Sequence, residues 1–113
     1  MNLDFFKKTR ILDGGMGQEL LARGMKPNGT LWSANAIINP DYHKLLLDTH
    51  LDFIKAGAEV IVTATFTTRR NRLRDNNVED KFEYLNKKAG EIAIKVKQKF
   101  PDVLIAAGLP PQN

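Results

Sequence analysis

The chain has 113 residues, 42% hydrophobic and 8% aromatic, with 17 Lys+Arg against 13 Asp+Glu and a formal net charge of +4 at pH 7. This describes one globular domain or a piece of a larger one and excludes a disordered chain, while so mild a positive charge selects no partner class. The absence of cysteine excludes a disulfide framework and any thiolate metal site within these residues.

The lead-in MNLDFFKKTR carries Asp4 and no apolar signal core, and no apolar run approaches the ~18 residues of a membrane span, so the cytosol is the expected compartment. Residues 10–13 read as a short buried strand, and residues 17–23 as a short helix stopped by Gly24. Residues 24–38 hold Pro27, Asn28 and Gly29 and then the only tryptophan, Trp32, and read as a long loop. Asn39 offers an N-cap and Pro40 a first helical residue, and the stripe Leu46, Leu47, Leu51 and Ile54 predicts a helix over 40–56 ending at Gly57.

The stretch AEVIVTATF is β-branched with little alternation, which predicts a strand over 59–65 covered on both faces. Phe82, Leu85, Ala89, Ile92, Ala93, Val96 and Phe100 form a helical stripe over 79–100, stopped by Pro101. A third apolar strand is expected over 103–108, before Pro110 and Pro111. Alternating strands and helices argue for parallel pairing, and three strands leave two unpaired edges and one bare face. The expected fold class is therefore α/β, with residues 1–113 as the first three βα steps of a larger barrel.

The segment ILDGGMGQEL places Asp13 at the end of a buried strand, followed by three glycines in four positions. Its spacing fails the dinucleotide fingerprint, because Leu20 stands where a third small residue is needed, and no phosphate loop is present. What remains is an acid able to take an ammonium beside bare backbone, Gly14 and Gly15, able to take a carboxylate. The alternative is structural: glycines that permit the turn and an Asp13 that caps the helix. Arg69, Arg70, Arg72 and Arg74 read as a solvated basic helix face or as an anion or nucleic-acid binder, although no aromatic interleaves with them. His43 and His50, seven apart on one helix, lack the spacing and the acidic partner of a metal site. Trp32 can close over a ligand or anchor its loop, and Thr63, Thr65 and Thr67 crowd the end of the second strand.

The segments ILDGGMGQELLARG, LWSANAIINP, THLDFIKAGAEVIVTATF and IAAGLPP, in that order, resemble the homocysteine S-methyltransferase family, zinc-dependent thiol methyltransferase barrels related to betaine–homocysteine methyltransferase and to the homocysteine module of methionine synthase. The resemblance runs from Arg10 onward. The D-G-G turn, the L-W-S-A segment, the helix ending H-x-D-F-x-x-A-G-A and the T-x-T-F strand end together are far more specific than any one glycine motif. It implies the N-terminal third of a (β/α)8 TIM barrel, about three βα units, with the site at the C-terminal strand ends. It also implies a methyl transfer to the thiol of homocysteine, giving methionine, with Asp13, Gly14 and Gly15 holding the amino acid end and Trp32, Thr63 and Thr65 lining the pocket. Ala64 departs from the asparagine frequent at that position.

The family's zinc is held by cysteines on late strands, none of which is present, so neither catalytic residues nor metal ligands are expected in this chain. Without an ion a thiol of pKa ~8.5 is only a few per cent ionised at neutral pH, so the chain alone is expected to be inactive. The implied partners are homocysteine or a similar thiol and a methyl donor, with no membrane and no nucleic acid. The rival reading is a non-catalytic amino-acid-binding or regulatory remnant; a third is an anion or nucleic-acid binder using the arginines.

Overall fold

A computed structural model describes residues 3–111 of the chain. Residues 1, 2, 112 and 113 of the expected domain lie outside the described residues. Among the described residues five α-helices and two strands follow in the order α1 (Met16–Ala22), α2 (Asn35–Ile38), α3 (His43–Lys55), β1 (Val60–Val62), α4 (Arg70–Asp75), α5 (Phe82–Lys99) and β2 (Leu104–Ala106), with short 3-10 turns between them.

The strands run parallel, pairing Val60 with Leu104, Ile61 with Ile105 and Val62 with Ala106. The segment expected as the first strand, 10–13, forms a single parallel bridge from Leu12 to Val60. It is tied by Glu59 N–H to Ile11 O at 2.8 Å and Asp13 N–H to Val60 O at 3.1 Å. It is this short because Gly14 and Gly15 turn the chain into α1 at once. The expected strand over 59–65 is regular only to Val62, because Thr65 N–H turns back to Thr63 O at 2.8 Å and takes the backbone off the ladder. The third, expected over 103–108, is regular only over Leu104–Ala106.

Helix boundaries follow local chemistry. Asn39 caps as expected, its side chain accepting from Asp41 N–H, but the first turn over Pro40–Tyr42 is a 3-10 turn and the α-helix proper starts at His43. The expected helix over 79–100 likewise opens with a 3-10 turn, Glu79–Lys81, and continues as α5. Gly57, at φ +120°, makes the left-handed exit from α3 that a side chain would resist. The polar lead-in forms a 3-10 turn over Leu3–Lys7. Arg10 holds it, with Nη1 2.6 Å from Glu59 Oε2 and the guanidinium 3.9 Å above the Phe5 ring.

Helices α3 and α5 pack on each other and cover one sheet face, where Leu51, Ile61, Val96 and Val103 are buried together. A second cluster, including Leu20, Leu31, Ile37, Leu46, Leu73 and Leu85, joins α1, α2 and α4 to the same helices. Full burial of each such leucine contributes about 2 kcal/mol. All three residues of β2 remain half-buried, and Ile11 and Leu12 are exposed. Among the described residues no helix is long and apolar enough to cross a membrane.

Candidate functional site

The strand ends, the start of α1 and the Trp32 loop enclose a cavity of about 370 Å³ lined by Asp13, Gly14, Gly15, Gln18, Trp32, Ser33, Thr63, Ala64, Phe66, Thr67 and Arg72, among others. Five of the six residues that sequence reasoning named for a substrate, Asp13, Gly14, Gly15, Trp32 and Thr63, meet there. Thr65 does not line it. Its hydroxyl donates to Gly108 O at 3.0 Å and lies 2.9 Å from the Thr63 hydroxyl, which fastens the end of β1 to the segment after β2. Because Thr65 spends its proton on Gly108, Thr63 donates to Thr65 and keeps only lone pairs for a ligand.

Asp13 does not cap α1. The N-cap is Gly15, with no side-chain cap bond. Asp13 Oδ2 instead accepts from Val62 N–H at 3.2 Å, across the bridge between the first segment and β1. Its side chain is 5% exposed. Desolvation raises its pKa above the ordinary carboxylate value, and the backbone hydrogen bonds oppose that only in part. The site thus holds a carboxylate short of compensating charge. A Cβ at Gly14 would stand 2.8 Å from Phe53 Cε1, so a larger residue there requires the Phe53 ring to shift.

Trp32 is 46% exposed and has φ +50°, a left-handed conformation uncommon for a bulky residue. Thr67 holds that turn from both sides: its buried hydroxyl donates to Leu31 O at 2.5 Å and accepts from Ala34 N–H at 3.2 Å. The strain sits at the cavity wall, where the surrounding structure over-determines it. Thr67→Val is expected to remove both bonds, cost about 1–3 kcal/mol and shift the emission of the only tryptophan to the red. Urea melts followed by fluorescence check both outcomes; unchanged emission would show that the turn holds itself.

The arginines do not act as one basic face. Arg69 Nη1 donates to Phe66 O at 3.0 Å, Arg70 lies 4.0 Å above the Phe82 ring, and Arg74 makes two hydrogen bonds, 2.9 and 3.0 Å, to Glu79. Arg72 reaches the opposite way, donating to Thr30 O at 2.8 Å and joining the cavity wall. Replacing Arg74 by serine is therefore expected to leave retention on heparin nearly unchanged, as measured by the eluting salt concentration. His43 and His50 do not converge: His43 Nε2 contacts Ile37 O at 2.7 Å, and His50 is fully buried with Nδ1 4.0 Å from Asp13 Oδ2.

Sequence reasoning missed Gln18, Ser33, Phe66 and Arg72 as wall residues and Thr67 as the clamp. It considered His50 only as a metal ligand. A signal for His50 was present, since it falls four after Leu46 and four before Ile54 on the apolar stripe. Ala64 packs into the main core and leaves apolar surface where an asparagine would have offered an amide.

A family model described as homocysteine S-methyltransferase matches residues 10–113. Homocysteine S-methyltransferase 2 of Zea mays is 32% identical over 91 residues, which is 80% of this chain and 26% of that protein. Selenocysteine Se-methyltransferase of Brassica oleracea var. italica is 33% identical over 94 residues, 81% of this chain and 26% of that protein. The crystal structure of the homocysteine methyltransferase MmuM from Escherichia coli, in its metallated form, superposes with a TM-score of 0.79 at 30% identity, covering 96% of this chain and 41% of that one. The chain spans about a quarter of the length of the plant relatives it matches. With the motif run, the mixed helix and strand order and the cavity at the strand ends in agreement, the chain belongs to the homocysteine S-methyltransferase family.

Proposed function

We propose that residues 1–113 form the N-terminal portion, about three βα units, of a (β/α)8 barrel that transfers a methyl group to the thiol of homocysteine to give methionine. In the reaction the sulfur forms its bond to the methyl carbon as the donor's bond to that carbon breaks, and the thiol proton is lost. This chain contributes recognition. Asp13 pairs with the substrate ammonium, the amides of Gly14 and Gly15 take its carboxylate, and Trp32 and Thr63 border the space for the thiol-bearing arm. Thr65 supports that space through Thr63 and Gly108.

The observation that carries this reading is the placement of Asp13: a carboxylate that caps no helix, is docked on Val62 N–H and lines a cavity beside uncapped glycine backbone. The family metal, proposed to be zinc, finds no fitting ligand set in this chain, which has no cysteine and, among the described residues, no group of three His, Cys, Asp or Glu that could hold an ion. Its ligands are assigned to the later strands of the barrel, and the 113 residues alone are expected to bind without turnover.

Titration with L-homocysteine, followed by Trp32 fluorescence, tests the reading. A saturable change is expected for homocysteine and none for propanethiol, which lacks the amino acid end. Equal responses to the two thiols, or no response to either, would overturn it.

A further inference from the structure

His50 is fully buried, and neither ring nitrogen has a hydrogen-bond partner. A buried imidazole left unpaired costs free energy that an apolar residue on the same helical stripe would not. The polar group it faces is Asp13 Oδ2, 4.0 Å from Nδ1, about 1 Å beyond hydrogen-bond range. Asp13 is itself docked through that oxygen on Val62 N–H. An imidazole has two neutral tautomers, and only the one with its proton on Nδ1 turns its N–H toward this carboxylate. The same tautomer leaves nothing worse than a bare lone pair on Nε2, and buried orphan acceptors are less rare than orphan donors.

We propose that His50 is a positioning residue for Asp13: it donates Nδ1–H to Oδ2 when a ligand is bound, so that Oδ2 is held by His50 and Val62 while Oδ1 is presented to the ligand's ammonium. This rests on the reading that Asp13 takes the amino acid end of the substrate, and it gives the histidine of the H-x-D-F-x-x-A-G-A segment a role that needs no metal. Burial supports it independently, because desolvation lowers the His50 pKa to about 4 and keeps the ring neutral at pH 7. A neutral ring orients the carboxylate without cancelling the charge that the ammonium requires.

The test has two parts on the full chain. Long-range proton–nitrogen NMR of the wild-type protein at pH 7, with and without homocysteine, is expected to show the Nδ1–H tautomer of His50, with an Nδ1 shift that homocysteine changes and Asp13→Asn changes in turn. The Nε2–H tautomer, or a shift that neither perturbation moves, would overturn the proposal. In the second part, His50→Leu is expected to weaken homocysteine binding about tenfold, whereas His50→Asn, which places an amide near the Nδ1 position, stays within about threefold of wild type. Equal weakening by both variants, or by neither, would reduce His50 to packing, and His50→Leu is expected to melt no lower than wild type, which separates lost binding from lost fold. Should the wild type itself fail to bind homocysteine, the functional reading falls, while the tautomer in the free protein still decides which nitrogen faces Asp13.

Discussion

Asp13→Ala is expected to weaken homocysteine binding about a hundredfold, the worth of a charge-assisted contact between a carboxylate and an ammonium in a partly desolvated site. The same substitution is expected to leave thermal stability unchanged or raised in the absence of ligand. The reason is the pKa of Asp13, which burial pushes above its ordinary value, so that the ionised form is disfavoured in the empty site and an arriving ammonium relieves it. Asp13→Asn separates the terms: an amide oxygen can still accept from Val62 N–H, but the charge is gone. Calorimetric titration of both variants at pH 7, beside melts without ligand, gives the answer. Because only the ionised carboxylate pairs with the ammonium, wild-type affinity is also expected to fall on acidification, beginning at a higher pH than for an exposed aspartate. Retention of wild-type affinity by either variant would remove Asp13 from substrate recognition. In an enzyme carrying the whole barrel, Asp13→Ala is expected to spare the zinc content.

Acidification is expected to cost the fold about 2.5 kcal/mol between pH 7 and pH 4.5 through His50 alone, given its pKa of about 4 in the folded chain and 6.5 when exposed. The sign follows from proton uptake. Between those values the unfolded chain binds a proton that the folded chain refuses, so stability is complete above pH 6.5, declines as pH falls toward 4 and levels off below it. Asp13 works in the opposite sense, since its raised folded value lets the native state take up a proton first and regain stability on acidification. Urea denaturation of wild type and His50→Leu at both pH values isolates the histidine: the variant is expected to lose that much less. Parallel pH dependences in the two proteins would mean that His50 is protonated in the native state.

The periodicities carried much of the architecture. Leu46, Leu51, Leu85 and Val96 lie on stripes readable without coordinates, and they are the residues that α3 and α5 bury. Asn39, Pro40 and Gly57 marked the limits of the α3 segment by local backbone chemistry, although the 3-10 character of its first turn, seen in the 2.9 Å bond from Tyr42 N–H to Asn39 O, is invisible to periodicity. Strand length was less legible. Hydrophobic runs extend to Thr65 and Gly108, yet the ladder stops at Val62 and Ala106, where Thr65 N–H turns back to Thr63 O and the threonine hydroxyls bond to each other and to Gly108 O.

The family motifs in the sequence nominated Asp13, Gly14, Gly15, Trp32, Thr63 and Thr65, and all of these but Thr65 line the cavity. The sequence alone also determined that no thiolate can come from this chain, because composition needs no geometry. Tertiary structure decided the rest: that Thr67 clamps the strained Trp32 turn, that Arg72 leaves its neighbours to join the cavity wall, and that His50 stands behind Asp13. These pairings join residues more than thirty positions apart, and hydrogen-bond direction and burial depend on where two separate backbones come to rest. Propensity and spacing report only on near neighbours along the chain, so the carboxylate was readable and its support was not.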